Sequence, residues 1–269
     1  MSLLEGRTVV VSGVGPGLGQ QIAVRAAREG ANVVLGARTE ENLARVATEI
    51  EKARTEAVHP GGGQVAWRST DIADDDACRA LADLAVERFG RIDAVIHVAA
   101  LDSYFGGLAD ADFASWRQVL DVNLIGTLQL TRACLPALRE RGGSVVIIGT
   151  QSAVASPSQV KQAAYAASKG ALTSAMYSLA RELGPDRIRV NTVVPGWMWG
   201  PAVEIYVRWT AGTEHVSEEE VRSRLAERMA LPELASDGDV AEAALFFASD
   251  RARSITGQSL LVNAGELMR

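Results

Sequence analysis

The sequence predicts an α/β protein in which helices cover both faces of a parallel sheet. Short blocks rich in Val, Ile and Leu alternate along the chain with longer stretches whose apolar residues follow helical spacing. The predicted strands are nearly continuous in apolar residues, which is expected where a strand is buried on both faces. No internal repeat or shift in composition marks a second domain, so residues 1–269 are expected to form a single domain.

The first half of the chain contains four predicted strand–helix pairs. The block 7–12 is rich in β-branched residues and is followed, after a glycine-rich corner, by a helix over 18–29. The same alternation predicts strands at 32–37, 64–70 and 92–99, followed respectively by helices at 40–57, 74–89 and 113–140. The HPGGG segment at 59–63 is predicted to form a surface turn, because Gly and Pro interrupt helices and strands.

The second half continues the pattern with one interruption. A strand is predicted at 144–150, a helix at 163–183 and a further strand at 188–194. The segment 197–234 then breaks the alternation and carries three of the five tryptophans. A helix at 239–248 and a last strand at 259–262 complete the chain.

The composition excludes several classes of protein and of site. Of 269 residues, 48% are hydrophobic and 22% charged, which is ordinary for a folded globular protein. A net charge of −6 argues against a nucleic-acid partner, and no apolar run is long enough for a membrane span. No export signal is recognisable, and Cys78 and Cys134 have neither metal-binding nor disulfide spacing. A reducing cytoplasm is therefore the expected location.

A glycine-rich loop joins the first predicted strand to the first predicted helix. Glycines at such a corner let the backbone approach a pyrophosphate at the positive end of the helix. The loop predicts a bound dinucleotide, although a tight turn without a ligand would also use glycines. The residues of this candidate site are Gly13, Val14, Gly15, Pro16, Gly17, Leu18 and Gly19.

The choice of dinucleotide depends on the residue at the end of the second strand. An Asp or Glu there would accept the ribose 2′-hydroxyl of NAD, whereas this chain has Arg38 after an uncharged residue. Arg38 favours the 2′-phosphate of NADP(H). The alternative is that Arg38 is a solvated strand end and that Glu40 or Glu41 folds back to the ribose of NAD.

Four polar residues form a candidate catalytic set. Tyr165 and Lys169 lie four positions apart on one face of a predicted helix, where the lysine charge can lower the pKa of the phenol. Ser152 precedes Tyr165 by thirteen positions and follows an apolar strand, at the edge where open α/β sheets bind ligands. Asn123 is an amide within an apolar helix face. Taken singly, these residues also fit an exposed helix pair, a loop serine and a satisfied core amide.

These residues, together with the glycine loop and with Pro195-Gly196 after a late strand, resemble the short-chain dehydrogenase/reductase family over nearly the whole chain. The resemblance implies a Rossmann-type doubly wound sheet of about seven parallel strands with a helical substrate lid at about 197–234. It implies that Tyr165 exchanges the proton of the reacting oxygen, which Ser152 would hydrogen-bond. Lys169 would lower the tyrosine pKa and hold the nicotinamide ribose, and Asn123 would anchor a water that links Lys169 to solvent.

The resemblance also implies further cofactor contacts. The sequence departs from the family pattern at two positions. Asp71 and Ile72 would meet adenine, the segment Val98-Ala99-Ala100 would pass beside the cofactor, and Pro195, Gly196 and Met198 would line the nicotinamide. The family's usual Asn-Ala-Gly is replaced by the sequence 97–100, HVAA, which loses an amide and a glycine. Whether the backbone path or the dinucleotide affinity differs there is left open. The usual Thr after Pro-Gly is matched at most by Gly200.

The segment 197–234 bears on the substrate. Its aromatic residues suggest a hydrophobic or aromatic ketone or alcohol, although the rings could equally pack the lid onto its own domain or onto a neighbouring subunit. His215 and the acidic run 218–220 give no reason to expect a metal. The helices 113–140 and 163–183 resemble the family's subunit-contact helices, which implies a homodimer or homotetramer.

The expected function is therefore that of an NADP(H)-dependent oxidoreductase acting on a small-molecule ketone or secondary alcohol. A catalytically silent dinucleotide-binding regulator or scaffold on the same fold is the alternative. The complete set of Asn123, Ser152, Tyr165 and Lys169 argues against that alternative. Nothing in the sequence demands an isomerase or a dehydratase on the same scaffold.

Overall fold

The computed structural model describes residues 2–56, 63–157 and 160–269. The described part contains nine strands: β1 Thr8–Ser12, β2 Asn32–Ala37, β3 Val65–Ser69, β4 Ala94–His97, β5 Gly143–Ile148, β6 Ile188–Pro195, β7 Met198–Trp199, β8 Ala235–Ser236 and β9 Ser259–Val262. Seven of them form one parallel sheet in the order β3-β2-β1-β4-β5-β6-β9. The predicted doubly wound, Rossmann-type sheet is confirmed.

Helices cover both faces of this sheet. The helices that cover it are α1 Leu18–Arg28, α2 Glu40–Glu56, α3 Asp75–Phe89, α4 Phe113–Leu120, α5 Thr127–Arg141, α6 Ala163–Leu183 and α9 Asp237–Ala248. Two further helices, α7 Pro201–Glu214 and α8 Glu218–Ala226, belong to the segment 197–234. Because side chains alternate along a strand, Val9 and Val11 pack with α1, α2 and α9, while Val10 packs with α3, α5 and α6. Two buried apolar layers therefore enclose the sheet.

The single helix predicted over 113–140 is wrong in its middle. Between α4 and α5 the residues Asp121–Gly126 form a π-helical segment. A Cβ on Gly126 would lie 2.8 Å from both Cγ1 and the carbonyl oxygen of Ile72, so the segment is packed directly against the loop after β3. The Thr127 hydroxyl donates to the Asn123 carbonyl, inside this segment, at 2.8 Å.

Other boundaries differ by a few residues for local reasons. The strand predicted at 92–99 is only β4, because the amides of Val98 and Ala99 both turn to the carbonyl of Ser12. The helix predicted from residue 74 begins one residue later, since the Asp74 carboxylate caps the amides of Asp76 and Ala77. The turn predicted at 59–63 lies, apart from Gly63, outside the described residues.

The segment 197–234 forms a helical cap with an apolar cluster of its own. Helices α7 and α8 pack through buried residues that include Val207, Val221 and Leu225. The short strands β7 and β8, which the sequence did not predict, pair in parallel at the two ends of the segment. In the described residues no helix is both long and apolar enough to cross a membrane.

Candidate active site

The candidate site lies at the carboxyl edge of the sheet, where the parallel strands β1, β4, β5 and β6 all end. The strand order reverses between β1 and β4, and open α/β sheets bind ligands in the crevice at such a switch point. The loops that follow these strands carry most of the residues singled out from the sequence.

The glycine loop is held by close backbone contacts. Gly13 has a φ of 83°, and a Cβ there would overlap the backbone of Ala99. A Cβ on Gly19 would overlap the carbonyl of Gly13, whereas Gly15 has no atom within 4 Å of its Cβ position. The two outer glycines therefore set the turn, and Gly15 leaves open space above it. Val14 and Leu18 are buried in the core and offer the site only their backbone.

The amino end of α1 fits a phosphate-bearing ligand. Its N-cap is Gly17, which provides no side-chain cap, and its first turn contains no acidic residue. In α3, by contrast, Asp74 caps the first amides and two further acids follow. The α1 amides thus remain available to an anion, as dinucleotide binding requires. Pro16 is exposed beside them.

The residues predicted to contact the adenosine half surround the ends of β2 and β3. Arg38 is exposed just beyond β2, and its carbonyl accepts a bond from the Ser69 hydroxyl. Glu40 and Glu41 form the first turn of α2, where carboxylates favour the helix dipole. Asp71 accepts from the amide of Ala73 and remains exposed. Ile72 is buried, and its carbonyl accepts from Gln129.

The HVAA departure is accommodated without strain at its last residue. Ala100 is exposed, and it is not among the described non-glycine residues with positive φ, which are Arg187, His215 and Ala264. An alanine in place of glycine therefore costs no left-handed backbone at this position.

His97 replaces an amide with a buried imidazole. Thr131 donates its hydroxyl proton to the Thr127 carbonyl at 2.8 Å, so the Thr131 oxygen accepts from His97 Nε2 at 2.9 Å. His97 Nδ1 then carries a lone pair that has no partner in the described structure. Burial, helped by the charge of Lys169, lowers the pKa of His97 to about 3 and keeps the ring neutral.

Asn123 lies in the π-helical segment and joins three parts of the site. Its Oδ1 accepts from the Leu101 amide at 2.6 Å, and its Nδ2 donates to the Leu101 carbonyl at 3.1 Å and to Ser168 Oγ at 2.9 Å. The Ser168 hydroxyl in turn donates to the Tyr165 carbonyl at 2.7 Å. Asn123 thus fixes the loop after β4 against α6, and Oδ1 retains one lone pair.

Tyr165 and Lys169 share one face of α6 as predicted, with Lys169 Nζ 5.9 Å from the centre of the tyrosine ring. Lys169 Nζ donates to the Ile148 carbonyl at 2.8 Å, and burial, partly opposed by Asp102, lowers its pKa to about 8. The expected lowering of the Tyr165 pKa is wrong for this structure. Loss of solvation and then the charge of Asp102 raise that pKa, and the hydrogen bond to Thr150 only partly opposes them.

Ser152 and Tyr165 line one cavity of about 790 Å³ together with Thr150 and Asp102, two residues that sequence reasoning missed. The Thr150 hydroxyl oxygen accepts from the Ser152 amide at 3.2 Å and caps the turn that carries Ser152. Both residues could have been recognised by position, since each follows a strand end at the carboxyl edge of the sheet.

The far wall of the cavity is aromatic and comes from the segment 197–234. The rings of Trp197 and Tyr206 meet at a tilt of 46° with their centres 4.8 Å apart, so these rings pack partly onto their own segment. Trp209 also lines the cavity and is 66% exposed. Trp197 and Tyr206 thus follow the expectation that the rings pack within their own segment, and the aromatic substrate stays a prediction.

Polar residues that the sequence did not reveal close the floor of the cavity. Glu266 pairs with Arg228 and accepts from Gln151 at 2.9 Å, and Gln151 accepts from Asn263 at 2.6 Å. A Cβ on Gly196 would lie 2.9 Å from the Cβ of Asn263, so Gly196 allows this floor to approach the end of β6. Pro195, Gly196 and Met198 all line the cavity. Glu266 and Gln151 come from distant parts of the sequence, which explains why no local pattern predicted their contact.

Two other predictions concerned metals and thiols. His215 has a φ of 57° and ends α7, while Ser217 caps α8, so the His215 region forms a helix boundary. In the described ranges, no three His, Cys, Asp or Glu side chains group as metal ligands. Cys78 and Cys134 are buried free thiols, and burial raises the pKa of Cys78 to about 12.

Comparisons with known proteins agree on one family. A family model described as enoyl-(acyl carrier protein) reductase matches residues 13–266. L-rhamnose 1-dehydrogenase (NAD(P)(+)) of Azotobacter vinelandii is 33% identical over 264 residues, 98% of this chain and 97% of that protein. Cis-4-hydroxycyclohexanecarboxylate dehydrogenase of Sinomonas cyclohexanicum is 31% identical over 259 residues, 96% of each. A short-chain type dehydrogenase/reductase from Mycobacterium ulcerans superposes with a TM-score of 0.85 at 29% identity, covering 98% of this chain and 90% of that one.

Proposed function

The chain belongs to the short-chain dehydrogenase/reductase family of NAD(P)(H)-dependent oxidoreductases, and from that premise we propose that it uses NADP(H) to interconvert a hydrophobic or aromatic ketone and its secondary alcohol in the cytoplasm. The observation that carries this proposal is that Ser152 and Tyr165 line one cavity. Lys169 is held near them by its bond to the Ile148 carbonyl, and Asn123 is bonded to Ser168 on the same helix as Tyr165. The glycine loop and the uncapped α1 terminus support a dinucleotide beside them.

Tyr165 is the proposed proton donor. A bound nicotinamide would supply or accept the hydride. A raised pKa keeps the Tyr165 phenol protonated near neutral pH, so it can give its proton to a carbonyl oxygen in the reduction direction. The hydroxyls of Ser152 and Thr150, on the same cavity wall, would hold that oxygen.

Lys169 and Asn123 have supporting roles in the proposed proton transfer. With a pKa of about 8, Lys169 is mainly cationic at neutral pH and stabilises the phenolate that remains after proton transfer. The free lone pair of Asn123 Oδ1 suits the proposed water link from Lys169 to solvent, while its other bonds position the loop after β4 against α6.

NADP(H) is proposed over NAD(H) because of Arg38. Its guanidinium is exposed at the end of β2, has no partner in the described residues and can form two parallel bonds to a phosphate. The carboxylates of Glu40 and Glu41 stand at the amino end of α2, which gives them a structural role without the cofactor.

The proposed substrate class follows from the cavity wall. Trp209, Ile205 and Phe105 are largely exposed apolar side chains that line the cavity mouth, where they would gain by covering a bulky apolar molecule. The relative from Sinomonas is named for a hydroxylated cyclohexane ring, which supports a ring-shaped substrate here as well.

A Tyr165→Phe variant tests the proposed function. We expect normal cofactor binding but turnover reduced on the order of 10²–10⁴-fold with a panel of paired aliphatic and aromatic ketones, because only the proton donor is removed. Tyr177→Phe, on the same helix but exposed, is the matched control and should keep full activity. Equal turnover of wild type and Tyr165→Phe would reject the role of Tyr165, and equal rates across the panel would reject the aromatic preference.

We also propose a homodimer or homotetramer. The outward face formed by α4, the π-helical segment and α6 carries the exposed apolar side chains Phe113, Ile125 and Tyr177. Apolar side chains grouped on a surface are typical of subunit contacts.

A further inference from the structure

A second cavity, of about 630 Å³, lies at the opposite edge of the sheet from the catalytic cavity. It is surrounded by the amino ends of β1, β4, β5 and β6, whose carboxyl ends form the catalytic site. We call it the arginine cavity, after its six arginines Arg7, Arg91, Arg141, Arg187, Arg189 and Arg253. Only two carboxylates, Asp93 and Asp250, line it, although the whole chain has a net charge of −6.

The two carboxylates are used by two of the arginines. Asp93 is almost fully buried and accepts from the Thr8 amide at 2.8 Å and from Arg91 Nε at 2.7 Å. Asp250 pairs with Arg7, which also lies 3.9 Å from Asp93. The acidic groups therefore hold one wall of the cavity, and the remaining arginines form no ion pair within the described residues.

Arg189 has a structural role and acts on the carbonyls of the neighbouring helix end. Its guanidinium donates to the carbonyls of Phe247 at 2.7 Å and of Ser249 at 3.0 Å, at the carboxyl end of α9. Such bonds satisfy helix carbonyls, but they do not neutralise the cation.

Three guanidinium groups at the rim have no hydrogen bond or ion pair in the described part of the chain: Arg141, Arg187 and Arg253. The Arg187 backbone is bonded to the start of β5, because Gly143 donates its amide to the Arg187 carbonyl at 3.1 Å. Arg187 also has a φ of 59°, a conformation that favours glycine over residues with a side chain. Arg187 therefore places a guanidinium side chain at a backbone position that would suit glycine better.

We propose that the arginine cavity binds a small multivalent oxyanion of the di- or triphosphate type. Arginine forks make paired hydrogen bonds to phosphate oxygens, and several phosphates linked together would engage the three free forks at once. No aromatic side chain lines the cavity in the described structure, so it offers no stacking surface for a nucleobase. The volume is within the range of small-molecule sites. The strands that separate it from the catalytic edge make it a second, independent site.

Calorimetric titration with sodium tripolyphosphate, with and without raised salt, tests this proposal. The variant Arg141→Gln/Arg187→Gly/Arg253→Gln removes the three free forks, and glycine suits the Arg187 backbone, so folding should be preserved. We expect wild type to bind at one site per chain that the variant weakens by about 10³-fold, about tenfold for each fork. Citrate, a carboxylate of similar charge, distinguishes a phosphate site from a general anion site.

The matched control is Arg28→Gln/Arg88→Gln/Arg181→Gln, which removes the same charge from exposed arginines that do not line the cavity. It should bind tripolyphosphate as wild type does, and circular dichroism and melting without ligand should show both variants folded. Equal binding by the two triple variants would overturn the proposal, because the anion would then occupy another site such as the glycine loop. Binding of citrate as tight as that of tripolyphosphate would overturn the assignment to phosphates.

Discussion

At the scale of single residues, His97 and Asn123 show how a polar group is made part of a packed core. Both are fully buried, and each is bonded to a threonine of α5: His97 to Thr131, and the Asn123 carbonyl to Thr127. The sequence could identify Asn123 as an amide in need of partners. It could not identify the partners, because Leu101 and Ser168 come from other parts of the chain.

The buried imidazole predicts how stability depends on pH. His97 has a pKa of about 3 in the fold and near 6.5 when unfolded, so only the unfolded chain takes up this proton between those values. Stability associated with the neutral ring is complete above pH about 6.5 and is lost as the pH falls toward 3. Between pH 7 and pH 4.5, we expect the free energy of unfolding to fall by about 2–3 kcal/mol less in His97→Asn than in wild type. Urea unfolding at the two pH values measures this difference. Parallel losses in both proteins would contradict the assignment.

Arg38 predicts the cofactor preference at the same scale. Arg38→Asp replaces an attraction for the 2′-phosphate with a repulsion, so the affinity for NADPH should fall on the order of 100-fold while NADH binding is kept. Nicotinamide fluorescence measures both. Arg28→Asp, an exposed change of equal charge elsewhere, should alter neither. Wild type that binds NADH more tightly than NADPH would favour Glu40 or Glu41 as the ribose contact.

At the scale of elements, strands and most helices follow from apolar spacing, whereas the π-helical segment does not. The residues around 119–126 have a helical pattern of apolar side chains. This pattern is the same for an α-helical and a π-helical turn, so it does not distinguish them. At the wider turn Gly126 packs closely against Ile72, a contact between residues far apart in sequence that no local pattern contains. Similarly, β7 and β8 have two residues each, too few for any periodicity.

The packing of the π-helical segment yields a prediction with a built-in control. Gly126→Ala would place a Cβ 2.8 Å from the backbone of Ile72, and overpacking of this kind costs about 1–3 kcal/mol. Gly170→Ala, in α6, would meet only the Cβ of Ala153 at 4.0 Å and should gain about 0.5–1 kcal/mol from its helix preference. Chemical unfolding of both variants measures the difference, and equal effects would show that Gly126 is not tightly packed.

At the scale of the whole molecule, the parallel sheet and its two apolar layers follow from the alternation of apolar strands and helices along the chain, which the sequence alone shows. The positions of Tyr165, Lys169 and the glycine loop at one edge follow from the same alternation, because parallel strands end together. The cavity floor requires Glu266, near the carboxyl end, to contact Gln151 after β5 and Arg228 in the segment 197–234, and only the folded structure defines these contacts.

Association of subunits is the prediction that belongs to this scale. Tyr177 is 53% exposed near the middle of α6, and Tyr177→Asp would introduce a charge into the proposed contact. Light scattering after gel filtration should show a smaller species than wild type. Val86→Asp, an equivalent change at a 44% exposed position on α3, should leave the mass unchanged. A wild type that runs as a monomer would contradict the proposed assembly directly.

The parallel pair of β7 and β8 has a consequence for how new specificities can arise on this scaffold. The pair brings the two attachment points of residues 200–234 to neighbouring strand positions, about 4.8 Å apart. The β8 attachment leads directly into α9, which is fixed by the reciprocal capping bonds of Ser236 and Asp239. The intervening segment can therefore be replaced by a longer or shorter one. The distance between the two attachment points and the positions of the proton-transfer residues would then be unchanged.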